Sequence, residues 1–159
     1  MVIAVTVAIV AIAGISVGYQ LVGSRPHGSA LDAFYSTDDG RTWFTDTGSL
    51  LPPFDRDGKV AVQAYVYQCN GKQFVGYLER LTPKALKLTH DLDVAVKNAR
   101  PGDAPPENLA EMQTARRWGR EVKKPGDKKW VGVNSSEGSR VTTVKCPDGS
   151  NGTPEMVYP

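Results

Sequence analysis

Charge is missing from the start of this chain. The first 24 of its 159 residues contain no Asp, Glu, Lys, Arg or His, so all 36 charged side chains lie at or beyond Arg25. Cysteine and histidine are scarce: Cys69 and Cys146, His27 and His90, with no CxxC and no Cys/His cluster, which excludes a structural zinc site. HExxH, the P-loop and GxGxxG are all missing, as is a Cys–His nucleophile pairing, so the sequence points away from an enzyme and names no cofactor. At 159 residues the chain is too short for a β-propeller or a TIM barrel. There is no low-complexity run, and 40% of the residues are apolar, which is inconsistent with global disorder.

What fills the uncharged start is apolar. Val2 to Val22 is interrupted only by the polar Thr6, Ser16 and Gln20. At about 1.5 Å per residue such a helix spans roughly 30 Å, the hydrocarbon thickness of a bilayer. Residues 1–22 are therefore read as a transmembrane anchor or uncleaved signal, and 23–30 (GSRPHGSA) as a polar linker. Ala11-Ile12-Ala13 offers a signal-peptidase site before Gly14, but the apolar run continues past it, which favours an uncleaved anchor. Arg25 after the segment weakly favours a cytoplasmic C-terminus.

The remaining chain reads as an α+β ectodomain over 31–149, followed by a tail at 150–159. Leu31–Ser36 and Thr42–Thr45 are expected to pair about a turn that fits S-x-D-x-G-x-T-W, the Asp-box pattern, through Ser36, Asp38, Gly40 and Trp43. In such a turn the carboxylate accepts backbone N–H groups, glycine takes unusual dihedrals and tryptophan packs beneath. Asp boxes occur on sialidase propeller blades, which suggests a glycan-acting hydrolase. One copy on a short chain reads instead as a stable corner.

Residues 48–59 read as a loop, and Asp55-Arg56-Asp57-Gly58 as a turn, since Gly58 and Lys59 break calcium-loop spacing. Val60–Gln68 and Gln73–Leu81 flank Asn70-Gly71, a strong hairpin signal, with Val60, Val62, Ala64 and Val66 on one face and Gln63, Tyr65 and Tyr67 on the other. Tyr65, Tyr67 and Tyr77 are either a ligand platform or cross-strand packing, and packing is favoured. The hairpin should be central, with helix covering one side.

Thr82-Pro83 opens a helix with an apolar stripe at Leu81, Ala85, Leu88, Leu92, Ala95 and Ala99, and Pro105-Pro106-Glu107 opens a shorter one ending at Gly119. His90 and Asp91 fall on its solvated side. Val141–Val144 suggests a strand.

Arg116, Arg117, Arg120, Lys123, Lys124, Lys128 and Lys129, with only Glu121 and Asp127 among them, put +5 into 14 residues of a chain whose total is +2. The cluster is a candidate anion-binding patch for phosphate, anionic lipid or an acidic polymer, or a solvated basic hairpin turning at Pro125-Gly126-Asp127. Without aromatic interleaving or a reading helix it suggests no nucleic-acid partner. Cys69 and Cys146 are either two buried thiols or one disulfide closing a loop of 77 residues. Their turn-like flanks favour the disulfide, which would contribute on the order of 4 kcal/mol and need an oxidising compartment.

YSTDDGRTWF (35–44), PPFDRDGK (52–59), FVGYLERLTPKA (74–85), EVKKPGDKKWV (121–131) and KCPDG (145–149) together resemble a family of uncharacterised planctomycete-type bacterial proteins with an N-terminal membrane segment and a small exported domain. The resemblance implies a single-pass protein whose residues 25–159 face the periplasmic or extracytoplasmic side, against the charge of Arg25. It implies no activity. The function expected from the sequence is a membrane-anchored, non-enzymatic binding or scaffold module of the envelope. The alternative is a pilin-like filament subunit, although Val2–Val22 lacks the early Glu and charged leader of pilins.

Overall fold

The computed structural model describes residues 31–150 and 152–159. The anchor at 1–22, the linker at 23–30 and Asn151 lie outside the described residues. Among the described residues no helix is long and apolar enough to cross a membrane.

Among the described residues the architecture is α+β: one antiparallel eight-stranded sheet with three helices. The elements run β1 (Asp32–Ser36), β2 (Phe44–Thr47), β3 (Phe54–Arg56), β4 (Lys59–Cys69), β5 (Lys72–Leu81), α1 (Pro83–Asn98), α2 (Leu109–Trp118), β6 (Arg120–Lys123), β7 (Val131–Gly132), α3 (Ser136–Thr142) and β8 (Glu155–Met156). The main path through the sheet is β2-β1-β4-β5-β6-β7, and β3 and β8 each pair with β4.

The hairpin of β4 and β5 is central, and it turns where Asn-Gly requires. Asn70 and Gly71 take φ of 49° and 76°, the left-handed conformations of a tight two-residue turn. Cross-strand pairing sets Ala64 opposite Leu78, Val66 opposite Val75, and Tyr65 opposite Tyr77. A bulge at Gly76 separates the last two pairs and reverses the phase of β5, so Val75 and Tyr77 fall on opposite faces despite being two residues apart. A Cβ at Gly76 would lie 2.6 Å from the Tyr67 ring and 2.8 Å from Val144, so no side chain fits there.

One face of the hairpin carries Ala64, Val66, Val75 and Leu78, sealed by Phe34, Trp43, Val62, Trp130 and Val157. The other carries Tyr65, Tyr67 and Tyr77 with Val122 and Val131, covered in part by Val133, Val141 and Val144. Its covering helix is α3, where a strand is expected from the sequence. Ser135 overrides the β-branched residues there: its side chain accepts from Gly138 N as an N-cap. Thr142 and Thr143 then return their hydroxyls to carbonyls one turn back.

Both helices expected from the sequence form, with Thr82 capping α1 and Gly119 ending α2 as read, but α2 begins at Leu109, after Asn108, rather than at Pro105-Pro106-Glu107. They pack mainly on each other, and α1 meets the sheet chiefly at β5. Ala85, Thr89 and Leu92 are the buried residues of α1, whereas Ala99, at the far end of the expected stripe, is exposed. His90 is exposed and Asp91 binds Lys87.

Other boundaries shift for local reasons. The partner of β1 begins at Phe44 rather than Thr42, because Asp38 holds the Thr42 amide and hydroxyl in the turn. The expected loop at 48–59 contains β3 and the Asp57-Gly58 turn, where Asp55 accepts from Gly58 N. The folded unit extends to Pro159 rather than ending at 149, since Met156 pairs with Tyr67 and Val157 N donates to Val66 O.

Candidate ligand-binding cleft

Cys69 and Cys146 form a disulfide. Both are buried, and Asn70 Nδ2 bonds Asp148 across the two turns that flank them. The Asp-box residues build one corner. Asp38 accepts from Thr42 N at 2.9 Å and Thr42 Oγ1 at 2.7 Å, while Ser36 Oγ accepts from Gly40 N at 2.8 Å. Those bonds, led by the Thr42 amide, hold the Asp38 pKa at about 2. Trp43 packs beneath on the sealed face. The corner also docks elsewhere: Asp39 accepts from Lys123 Nζ and from Gly126 N.

The members of the basic run are held by separate partners. Arg116 bonds Asp93 at 2.8 Å, Arg120 bonds Glu79 at 3.1 Å, Lys123 bonds Asp39 and Lys129 bonds Glu137. Lys124 Nζ donates to Thr143 O, Arg117 lies over Trp118 and Lys128 is exposed. Strand β6 sends Arg120 and Lys123, its two basic residues, to opposite faces.

Two members of that run, Arg116 and Arg120, meet at a cleft of about 340 Å³ on the tyrosine-bearing face. The segment from Gly48 to Pro52 forms one wall, Gln63 and Glu79 lie on the sheet, and Asp93 stands on the helical side. Pro52 O accepts from Leu81 N, fixing that wall to β5. Gly119 positions the arginines. A Cβ there would lie 2.2 Å from the Ala85 methyl, and Gly119 O accepts from Thr82 N, so α2 ends tightly against the start of α1 just before Arg120.

Glu79 is the group of most consequence. It is only 6% exposed, and burial raises its pKa despite Arg120 beside it. Tyr65 Oη donates to Oε1 at 3.4 Å and Arg120 Nη1 donates to the same oxygen at 3.1 Å. Both donors converge on one oxygen. Oε2 has no donor among the described residues, yet it is not among the side-chain atoms sealed from solvent without a partner. It is an acceptor open to the cleft.

Tyr65 and Tyr77 stack with centroids 4.3 Å apart, which makes them packing partners, and neither lines the cleft. The sequence reading missed Glu79, Gln63, Asp93 and the 48–52 wall. A signal for Glu79 was present, because a lone carboxylate on the apolar face of a central strand requires an explanation.

No family model, curated protein or solved structure matches the chain.

Proposed function

We propose that this chain is a membrane-anchored, exported binding module of a bacterial envelope, of the planctomycete-type family it resembles. Residues 1–22 tether it, and residues 31–159 present the cleft at Glu79. The observation that carries the binding role is that cleft: a buried carboxylate with one oxygen uncommitted, framed by arginines that are themselves only half-exposed. Unpaired polar capacity facing a concavity is what a ligand site offers before it is filled.

The disulfide supports an oxidising compartment. A non-enzymatic role is supported by the pairing inside the cleft. Glu79 and Asp93 are each held by an arginine, which fixes charge for recognition instead of freeing a base.

Protease applied to intact spheroplasts tests the location, with digestion of residues 31–159 expected. Full protection until the cells are lysed would reverse the orientation. Alkylation of the denatured protein should label neither cysteine until reductant is added.

A further inference from the structure

The charges of the cleft define what can enter it. Its negative groups are Glu79 and Asp93; Arg80 also lines it but is bonded to Glu121, and its outer positive groups are Arg116 and Arg120. Each arginine has a single nitrogen bound to these carboxylates, and each side chain is about half exposed, at 53% for Arg116 and 46% for Arg120. Their remaining N–H groups are therefore solvated donors, since a guanidinium carries five.

A purely cationic ligand could donate to Glu79 Oε2 but would approach two arginines. A purely anionic one could engage the arginines but would sit against a buried carboxylate. Only a molecule with both signs satisfies both sides without like-charge contact. Size narrows the class further. At about 340 Å³ the cleft lies at the small end of ligand pockets, which run from roughly 300 to 1,000 Å³, so it suits a compact ligand. None of the residues lining the cleft is aromatic, so it offers no stacking surface for a nucleobase or a sugar ring.

The geometry points to a compact zwitterion as the ligand, an amino acid or dipeptide whose ammonium donates to Glu79 Oε2 and whose carboxylate meets Arg116 and Arg120. This assignment rests on the binding role proposed above. An arriving ammonium supplies the donor that Oε2 lacks, and the carboxylate replaces water on the arginines' outer edges.

Calorimetry and amide chemical shifts on the full-length chain in detergent test it with four probes: alanyl-alanine, its N-acetyl derivative, its C-terminal amide, and N-acetyl-alanine amide. Alanyl-alanine should saturate the signals of Glu79 and Arg120, and blocking either end should weaken binding at least tenfold. Glu79→Gln should abolish the penalty for N-acetylation while keeping that for amidation. Arg116→Gln, at an exposed position that folding tolerates, should shrink the amidation penalty. Equal affinity for blocked and free dipeptide would overturn the assignment. If the neutral or singly charged probes shift the cleft signals and alanyl-alanine does not, the ligand class is wrong and the binding role stands. If no probe shifts them, both are wrong.

Discussion

The two faces of the central β4–β5 hairpin are built from the same alternation and reach opposite ends. On one, Ala64, Val66, Val75 and Leu78 are closed over by Trp43 and Trp130, and all four are at most 7% exposed. On the other, the matching positions hold Gln63, Tyr65, Tyr77 and Glu79, and the short helix α3 covers only part of them. The apolar face needs only burial. The polar-headed face needs a partner for every buried hydroxyl and carboxylate, and where cover stops, at Glu79, one oxygen is left for something else. The difference teaches that the fold is secured on one side so that the other can stay incomplete.

The largest effect expected from this contrast is at Leu78, which is fully buried. Leu78→Ala should cost about 2–5 kcal/mol in denaturant unfolding, the usual range for a truncated core leucine. A loss below about 1 kcal/mol would show that the sealed face does not carry the stability assigned to it. Next is Gly76, whose bulge keeps the two faces in phase with their covers. Gly76→Ala drives a methyl into the Tyr67 ring and Val144, and should cost about 1–3 kcal/mol while disturbing the tyrosine face first. Near-UV circular dichroism, which reports tyrosine packing, should change more than for Leu78→Ala.

Much of this frame is legible in the residues. Asn70-Gly71, Thr82-Pro83 and the Asp-box spacing each encode local geometry through dihedral preference or a side-chain cap, so their elements emerge close to where the pattern puts them. The placement of helix on sheet is not local. The stripe on α1 marks a buried face without saying whether sheet or α2 buries it. The β-branched residues after Ser139 indicate a strand until the Ser135 cap is weighed against them. The cleft was the least legible part. Glu79, Asp93, Arg120 and the 48–52 wall come from four separate stretches, and only the β5–β6 pairing, the Arg116–Asp93 pair and the Leu81–Pro52 bond bring them together. Within the basic run the converse holds for Arg120 and Lys123, which adjacency along β6 places on opposite faces.

Glu79 also sets a pH dependence that the sealed face cannot have. Burial raises its pKa in the fold above the unfolded value, so the folded state binds the proton more tightly. Its contribution to stability is therefore fullest below the unfolded pKa of 4.5 and is lost as pH rises through the raised folded value. Arg120 and Tyr65, the charged and titratable groups bonded to it, moderate the loss without reversing it. Glu79→Gln should leave the melting temperature nearly unchanged near pH 4 and raise it toward pH 8. Parallel curves for the two proteins over that range would remove Glu79 from the list of groups under stress.

The smallest effect is expected where the sequence is most conspicuous. Lys129 pairs with Glu137 at 3.0 Å, but both side chains are largely solvated, at 73% and 54% exposed. Such a pair gains little Coulomb energy in water and loses side-chain freedom in forming. Lys129→Ala should therefore change stability by less than about 0.5 kcal/mol, at low salt as well as high. It should also leave binding at the cleft untouched, because Lys129 is not among the residues lining it. A loss of ligand affinity in Lys129→Ala equal to that in Arg116→Gln would mean that the basic run acts as one field after all. The separate partners of its members would then matter less than its total charge.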